Sequence, residues 1–275
     1  MSNIDPTTVK SFGDEWSRFD QSGMKDGELQ KVFREYFSVF PWQGLPSNPE
    51  GFDMGCGSGR WARLVAPRVG RLHCIDPSVA INVAKTKLKD LKNIVYHQAS
   101  VDESVLPLNS QDFGYSLGVL HHVPDTQAAI NSCVALLKPG APLLLYLYYA
   151  FDNRSWWFRL LWIISDWGRK AVFRLPPSLK HMTTDVIALL VYWPLARVAG
   201  LLERFGFAVE NVPLSYYRKH SFYVMRTDSR DRFGTPLERR FTREQISKMM
   251  EGAGLVNICF SESAPFWCVV GIKKY

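Results

Sequence analysis

Five cysteines among 275 residues, none in a C-x-x-C pair, provide neither a disulfide framework nor a zinc site. The expectation is buried thiols in a reducing, cytoplasmic setting, with no metal. No N-terminal stretch combines a basic start, an apolar core and a cleavage site, so no secretory leader is expected. No internal repeat or low-complexity tract is present. No run of ~20 uninterrupted apolar residues occurs either, so no transmembrane segment is expected. What remains is an ordinary globular composition, 47% hydrophobic and 21% charged, with a net charge of +7. That charge is unevenly spread. Residues 1–149 carry 14 Lys/Arg against 15 Asp/Glu, residues 150–219 carry 10 against 5, and residues 220–275 carry 9 against 6. The basic half points to an acidic substrate, a membrane surface or RNA, or to a solvated basic face.

The most informative run is Phe52-Asp53-Met54-Gly55-Cys56-Gly57-Ser58-Gly59-Arg60. It reads as a strand breaking into a glycine turn that opens a helix. A second acid, Asp76, ends the next apolar segment, where it is placed to hold ribose hydroxyls. A dinucleotide would bring its pyrophosphate to this turn, and the carboxylate of Asp53 would repel it. S-adenosylmethionine has no phosphate and presents an ammonium and a sulfonium instead. The acid two residues before the first glycine therefore favours the methyl donor.

Strand and helix patterns alternate from this point: strands at 51–54, 71–75, 94–98, 112–117 and 142–148, with helices at 58–66, 78–90 and 126–137. Thr242 reads as a helix N-cap with Gln245 completing a capping box, and strands at 255–261 and 266–272 follow. The expected fold is α/β, a doubly wound, mostly parallel seven-stranded sheet with right-handed crossovers and ligands at its carboxyl edge. Residues 1–49 would form an N-terminal helical lid segment. Residues 50–149 and 242–275 would form the cofactor-binding core, and residues 150–241 a mainly helical cap inserted after the fifth strand.

The sequence resembles the class I S-adenosylmethionine-dependent methyltransferases, which are Rossmann-like. The resemblance is carried by Asp53-Met-Gly-Cys-Gly-Ser-Gly59, Cys74-Ile-Asp76-Pro77-Ser78, Leu106-Pro107, Ser116-Leu-Gly-Val-Leu-His-His-Val-Pro-Asp125 and Leu136-Leu-Lys-Pro-Gly140. It covers about residues 50 to 148 and returns weakly near Phe241 to Gly254. It implies S-adenosyl-L-methionine as cofactor and a last strand antiparallel to its neighbours. Gly55, Cys56 and Gly57 would approach the methionine part, with Asp53 attracting its ammonium. Asp76, followed by Pro77, would take the ribose hydroxyls as an exposed rim acid. Ser100 and Val101 would recognise adenine, although many members place an acid at that point. Leu117 and Gly118 would lie near the ammonium. Trp16, in an N-terminal element seen in some of these enzymes, would close the site.

Methyl transfer is an in-line displacement in which the cofactor carries the reactive group and the protein aligns the nucleophile. Candidate bases are His121 and His122, just after the fourth strand, with Tyr148 and Tyr149 ending the fifth. In the cap, Tyr217, Arg218, Asp231 and Arg232 are polar residues among aromatics. Either arginine would suit a carboxylate or phosphate. The leading expectation is methylation of a small-molecule or lipid-like acceptor at oxygen, inside an aromatic-walled pocket. Peripheral membrane contact by the Trp-rich, basic helices is a further option. The alternatives are an RNA-modifying enzyme using the basic cap, ranked lower because its basic residues interleave with apolar runs, and a non-catalytic cofactor-binding protein. Nucleic acid is therefore not the expected partner. Oligomeric state is left open.

Overall fold

The computed structural model describes residues 2–18, 26–103, 105–209 and 211–275. They divide into a sheet unit (residues 1–21, 29–150 and 237–275) and a helical unit (residues 22–28 and 151–236).

In the sheet unit the elements run α1 (Pro6–Arg18), α2 (Asp26–Tyr36), β1 (Glu50–Met54), α3 (Ala62–Val65), β2 (Arg71–Ile75), α4 (Ala80–Lys87), β3 (Ile94–His97), β4 (Phe113–Leu117), α5 (Thr126–Leu136) and β5 (Pro142–Tyr146). The seven strands lie in the order β3-β2-β1-β4-β5-β7-β6, where β6 is Leu255–Phe260 and β7 is Cys268–Lys273. The first five are parallel, and β7 is antiparallel to both β5 and β6. Buried on both faces, β4 and β5 read as near-continuous apolar runs, which is what a covered parallel sheet requires. A Cβ at Gly51 would fall 2.4 Å from the Phe113 ring, and one at Gly114 would fall 2.2 Å from the Phe52 ring. These glycines therefore leave room for a phenylalanine from the adjoining strand to cross over each.

The seven strands of the sequence reading are present, most within a residue or two of the expected ends, and the fifth loses two residues at its end. The fifth stops at Tyr146, whose pairing with Cys268 is the last rung of that ladder. Tyr148 and Tyr149 lie beyond it, and Tyr149 forms an isolated bridge with Phe241. The capping box at Thr242 is formed in full, with Thr242 Oγ1 accepting from the Gln245 N–H at 3.2 Å and Gln245 Oε1 accepting in return at 2.9 Å.

The unit boundaries differ from the expected lid, core and cap. Val32, Phe33, Phe37 and Phe40 are buried with Trp61, Leu72, Phe113 and Tyr115, so much of the N-terminal segment is core of the sheet unit. Residues 237–241 also belong to that unit, held by Phe241 N–H to the Tyr148 carbonyl and by Arg239 N–H to the His121 carbonyl.

The helical unit contains α6 (Trp156–Val172), α7 (Pro177–Ile187), α8 (Trp193–Arg204) and α9 (Phe222–Gly234), while α10 (Arg243–Gly252) returns to the sheet unit. A correction to the sequence reading arises here. A π-helical turn at Ala188–Tyr192 joins α7 to α8, so Pro177–Arg204 is one continuous helix of 28 residues. By length and composition alone, it is long and apolar enough to cross a membrane. The wider π turn lies just before Pro194, where an α-helical ladder would clash with the ring.

Candidate active site

The glycine turn after β1 folds onto the end of β2. Gly55 and Cys56 both donate their N–H groups to the Ile75 carbonyl, at 2.7 and 3.1 Å. Gly55 has φ +81° and Gly57 φ +52°, conformations that side-chain-bearing residues rarely adopt. Space is equally restrictive, since a Cβ at Gly55 would lie 2.4 Å from Val119 and one at Gly57 3.3 Å from the Trp16 indole. Trp16 thus lies against the turn, with the Arg60 guanidinium 5.8 Å from its ring centre. The Cys56 thiol is buried, and its hydrogen-bonded neighbour Cys74 is the main cause that pushes its pKa well up, so it stays an inert thiol.

Two carboxyl groups lie beneath this turn. Asp53 is buried and accepts from the Tyr115 hydroxyl at 3.0 Å. Burial, only partly offset by that bond and reinforced by the charge of Asp76, pushes its pKa up to about 8. Asp76 was expected as an exposed rim acid and is instead buried, 7% exposed. Its Oδ2 accepts from the Gly57 N–H at 2.8 Å, and its Oδ1 accepts from the Ser78 N–H at 2.8 Å and the Ser78 hydroxyl at 2.6 Å. Burial raises its pKa as well, against the pull of those donors. Each carboxylate oxygen keeps lone-pair capacity beyond these bonds. Pro77 is half-buried beside it.

Along the same edge, Leu117 is buried, and Gly118, at φ +80°, donates to the Tyr146 carbonyl at 3.0 Å. Ser100 and Val101 are buried after β3. The Ser100 hydroxyl is turned onto Asp102 at 2.6 Å, and Val101 packs in the apolar core. Sequence reasoning missed the part played by Asn3. Its N–H donates to Asp102 at 2.8 Å, its side-chain amide donates to the Asp125 carbonyl, and its amide oxygen accepts from the Asp125 N–H. The loops after β3 and β4 are therefore strapped together by the N-terminal segment. A single Asn ahead of a helix carries no sequence signal of such a role.

The adjacent histidines have different surroundings. His122 is fixed by its Nδ1 to the Leu237 carbonyl at 2.6 Å and by an edge contact to Phe12, which makes it structural. His121 is fully buried and stacked on Tyr148, with ring centres 3.9 Å apart, and neither ring nitrogen has a hydrogen-bond partner among the described residues. Burial, then the neighbouring His122 and Arg240, hold its pKa well below the usual imidazole value. Tyr148 lies between both imidazoles and the Arg240 guanidinium, 5.1 Å from its ring centre.

The expected substrate residues fall in both units. Tyr149 packs on Phe266 and Trp267. The others belong to the helical unit and are held within it. Tyr217 donates to Asp228 at 2.8 Å, Arg218 pairs with Glu203 at 2.9 Å, and Arg232 lies 3.7 Å from Asp166 and 3.3 Å from the Ser165 hydroxyl. Asp231 lies half-buried on α9.

Residues 52–145 match the family model described as a methyltransferase domain, spanning the glycine turn, Asp76 and the His121 segment. The sheet unit is a class I S-adenosylmethionine-dependent methyltransferase domain. The chain is 28% identical over 191 residues to the "Ubiquinone biosynthesis O-methyltransferase" of Acinetobacter baylyi, covering 65% of this chain and 74% of that protein. It is 31% identical over 132 residues to the protein of the same name from Coxiella burnetii, covering 47% of this chain but only 53% of that relative's length. The solved CurJ carbon methyltransferase shares the fold, with a TM-score of 0.55 at 17% identity over 99% of this chain and 62% of that one.

The methyltransferase domain fits its cofactor in charge as well as in shape. A buried acid, Asp53, whose affinity for protons is raised by burial and by the charge of Asp76, is best relieved by a cation carrying no phosphate. The bare backbone at Gly55 and Gly57 leaves the space a Cβ would fill. When bound, S-adenosylmethionine supplies an electrophilic methyl group on a sulfonium.

Proposed function

We propose that this methyltransferase acts at a hydroxyl oxygen of a small, lipid-soluble acceptor. The observation that carries the reading is His121, a neutral imidazole fully buried against Tyr148 with both nitrogens free of partners among the described residues. It follows β4, on the edge of the sheet where the glycine turn lies. An amine held neutral attacks through its lone pair and needs no such partner beforehand, whereas a hydroxyl must lose a proton as its oxygen takes the methyl group. That proton passes to a ring nitrogen of His121. The imidazolium charge that appears replaces the sulfonium charge that is lost, so the site's net charge is unchanged by transfer. His121 is held in place by Tyr148 and by the hydrogen bond from the Arg239 N–H to its own carbonyl. The relatives named for ubiquinone biosynthesis are O-methyltransferases, which supports the choice of oxygen and of an apolar acceptor.

The reading that uses a basic cap on RNA has less support. Arg154, Arg169, Arg218 and Arg226 of the helical unit are each hydrogen-bonded to an Asn, Asp or Glu side chain of that unit, not arrayed as a phosphate-binding stripe. The test is incubation with methyl-labelled cofactor and apolar phenols or catechols, followed by mass spectrometry. Label in an acid-stable ether supports the proposal. Label that appears only in amines or in RNA refutes it.

A further inference from the structure

The helical unit has its apolar surface on the outside. On α6 the exposed apolar residues include Trp156, Leu160, Ile163, Ile164 and Trp167, with Trp156 76% exposed. On the continuous helix they include Val186, Leu189, Leu190, Val191, Val198 and Leu201. The inward positions on α6 and the continuous helix are mostly polar or small, Arg169, His181, Thr184, Ala188, Ala196 and Ala199, with a small apolar cluster around Tyr192 and Met225. Between these helices runs α9, with Thr227, Ser229 and Arg230 buried. Ionisable groups of the unit pair with one another, the half-buried Arg226 with Asp185 at 2.8 Å and the buried Arg169 with Asp166 at 2.7 Å. A water-soluble helix packs its apolar stripe inward and exposes its polar face. Here the order is reversed, as in helices solvated by hydrocarbon, where ionisable side chains face the interior and pair.

We propose that this unit inserts into the interface of an anionic lipid bilayer, with α6 and the Pro177–Arg204 helix lying in one leaflet. Three observations choose lipid over a protein partner. Leu189, Leu190 and Val191 are consecutive in the π turn and all exposed, so the apolar arc there is wider than a single stripe. A partner helix would need only a narrow seam, whereas a solvent covers a wide arc. Exposed tryptophans at 156, 157, 167 and 193 have the amphipathic rings favoured at headgroup level. The flanks are basic, with Lys170 in the last turn of α6, Arg174 between the helices, Lys180 in the first turn of α7 and Arg204 at the far end, matching an anionic surface.

An in-plane position follows from the ends of the unit. Arg159 on α6 holds the Phe151 carbonyl at 3.0 Å, and Arg169 holds the Pro236 carbonyl at 3.0 Å. The chain thus enters and leaves along one helix, and both ends continue into the same sheet domain. The continuous helix, about 42 Å long at 1.5 Å per residue, is unconstrained in length when it lies in the plane.

The experiment is flotation of the whole protein with vesicles of phosphatidylcholine, with or without phosphatidylglycerol. Quenching of tryptophan fluorescence by brominated acyl chains is read on the same samples. Wild type should float with the anionic vesicles, remain bound in high salt and be quenched. Leu190→Glu combined with Trp167→Glu should lower partition by about tenfold or more, while far-UV circular dichroism and affinity for S-adenosylhomocysteine stay unchanged. Because that affinity reports the sheet domain alone, failure here is distinguishable from failure of the proposed reaction. Three results would overturn the proposal: no flotation, complete release by salt without quenching, or a dimer seen by light scattering that ignores vesicles.

Discussion

The Gly57 N–H donates to Asp76 Oδ2 across 2.8 Å, joining the turn after β1 to the end of β2. One bond therefore sets both the shape of the glycine turn and the position of the acid expected to hold the ribose. Fold and cofactor affinity are coupled at this point.

Asp76→Ala should consequently cost both. Three donors lose their acceptor, and an unsatisfied buried N–H costs about 1–3 kcal/mol. Thermal denaturation without ligand should show a lowered midpoint, and calorimetry should show loss of S-adenosylhomocysteine binding. Asp76→Asn, which keeps one acceptor oxygen, should recover more stability than affinity.

Gly55→Ala forces a side chain into φ +81° with its Cβ 2.4 Å from Val119. Strain and overpacking together should destabilise by about 2–4 kcal/mol. Adding Val119→Ala should restore part of that loss but not the part due to the backbone, as a double-mutant cycle would show.

Asp53 keeps its proton up to about 8 in the folded protein, against 3.8 for an ordinary aspartate. Between those values the folded state binds more protons than the unfolded state, so the contribution of Asp53 to stability falls as pH rises through that window. Asp53→Asn should flatten the slope in ligand-free denaturation curves. A cation binding beside Asp53 lowers its pKa, so cofactor binding at neutral pH should release close to one proton in wild type and fewer in Asp53→Asn. The measurement is binding enthalpy in buffers of differing ionisation heat.

His121 has the opposite sign. Its folded-state pKa lies well below 6.5, so it stays neutral across the physiological range. Its ionisation should leave kcat/KM flat from about pH 6.5 upward, with loss only on strong acidification. Stability should also weaken as pH falls below that value, because the unfolded chain takes up the proton first. His121→Gln should lower kcat by about 10²–10⁴-fold while leaving cofactor affinity intact. His122→Gln should act mainly on stability, through the Leu237 contact.

Much of the sheet domain was legible because its signals are local. The glycine turn, the alternating strands and the Thr242 box each lie within a few residues. The burial of Asp76 was not legible, since its partner Gly57 meets it only once β1 and β2 pair. The different fates of His121 and His122 depend on the Leu237 carbonyl, more than a hundred residues downstream. In the helical unit, composition marked Trp-rich, basic, apolar stretches but did not reveal which of their residues are exposed. The continuity of the Pro177–Arg204 helix was not legible either, because the π turn before Pro194 has no composition signature.

The central claim is that a phosphate-free sulfonium cofactor rests on the turn at Gly55 and Gly57. The most direct test is calorimetric titration of S-adenosylhomocysteine and, separately, NAD into wild type and folded Gly57→Val. The account predicts one S-adenosylhomocysteine site per chain in wild type, no such site in the variant, and no heat from NAD in either. Undiminished S-adenosylhomocysteine binding by the variant, or saturable NAD binding by wild type, would contradict it.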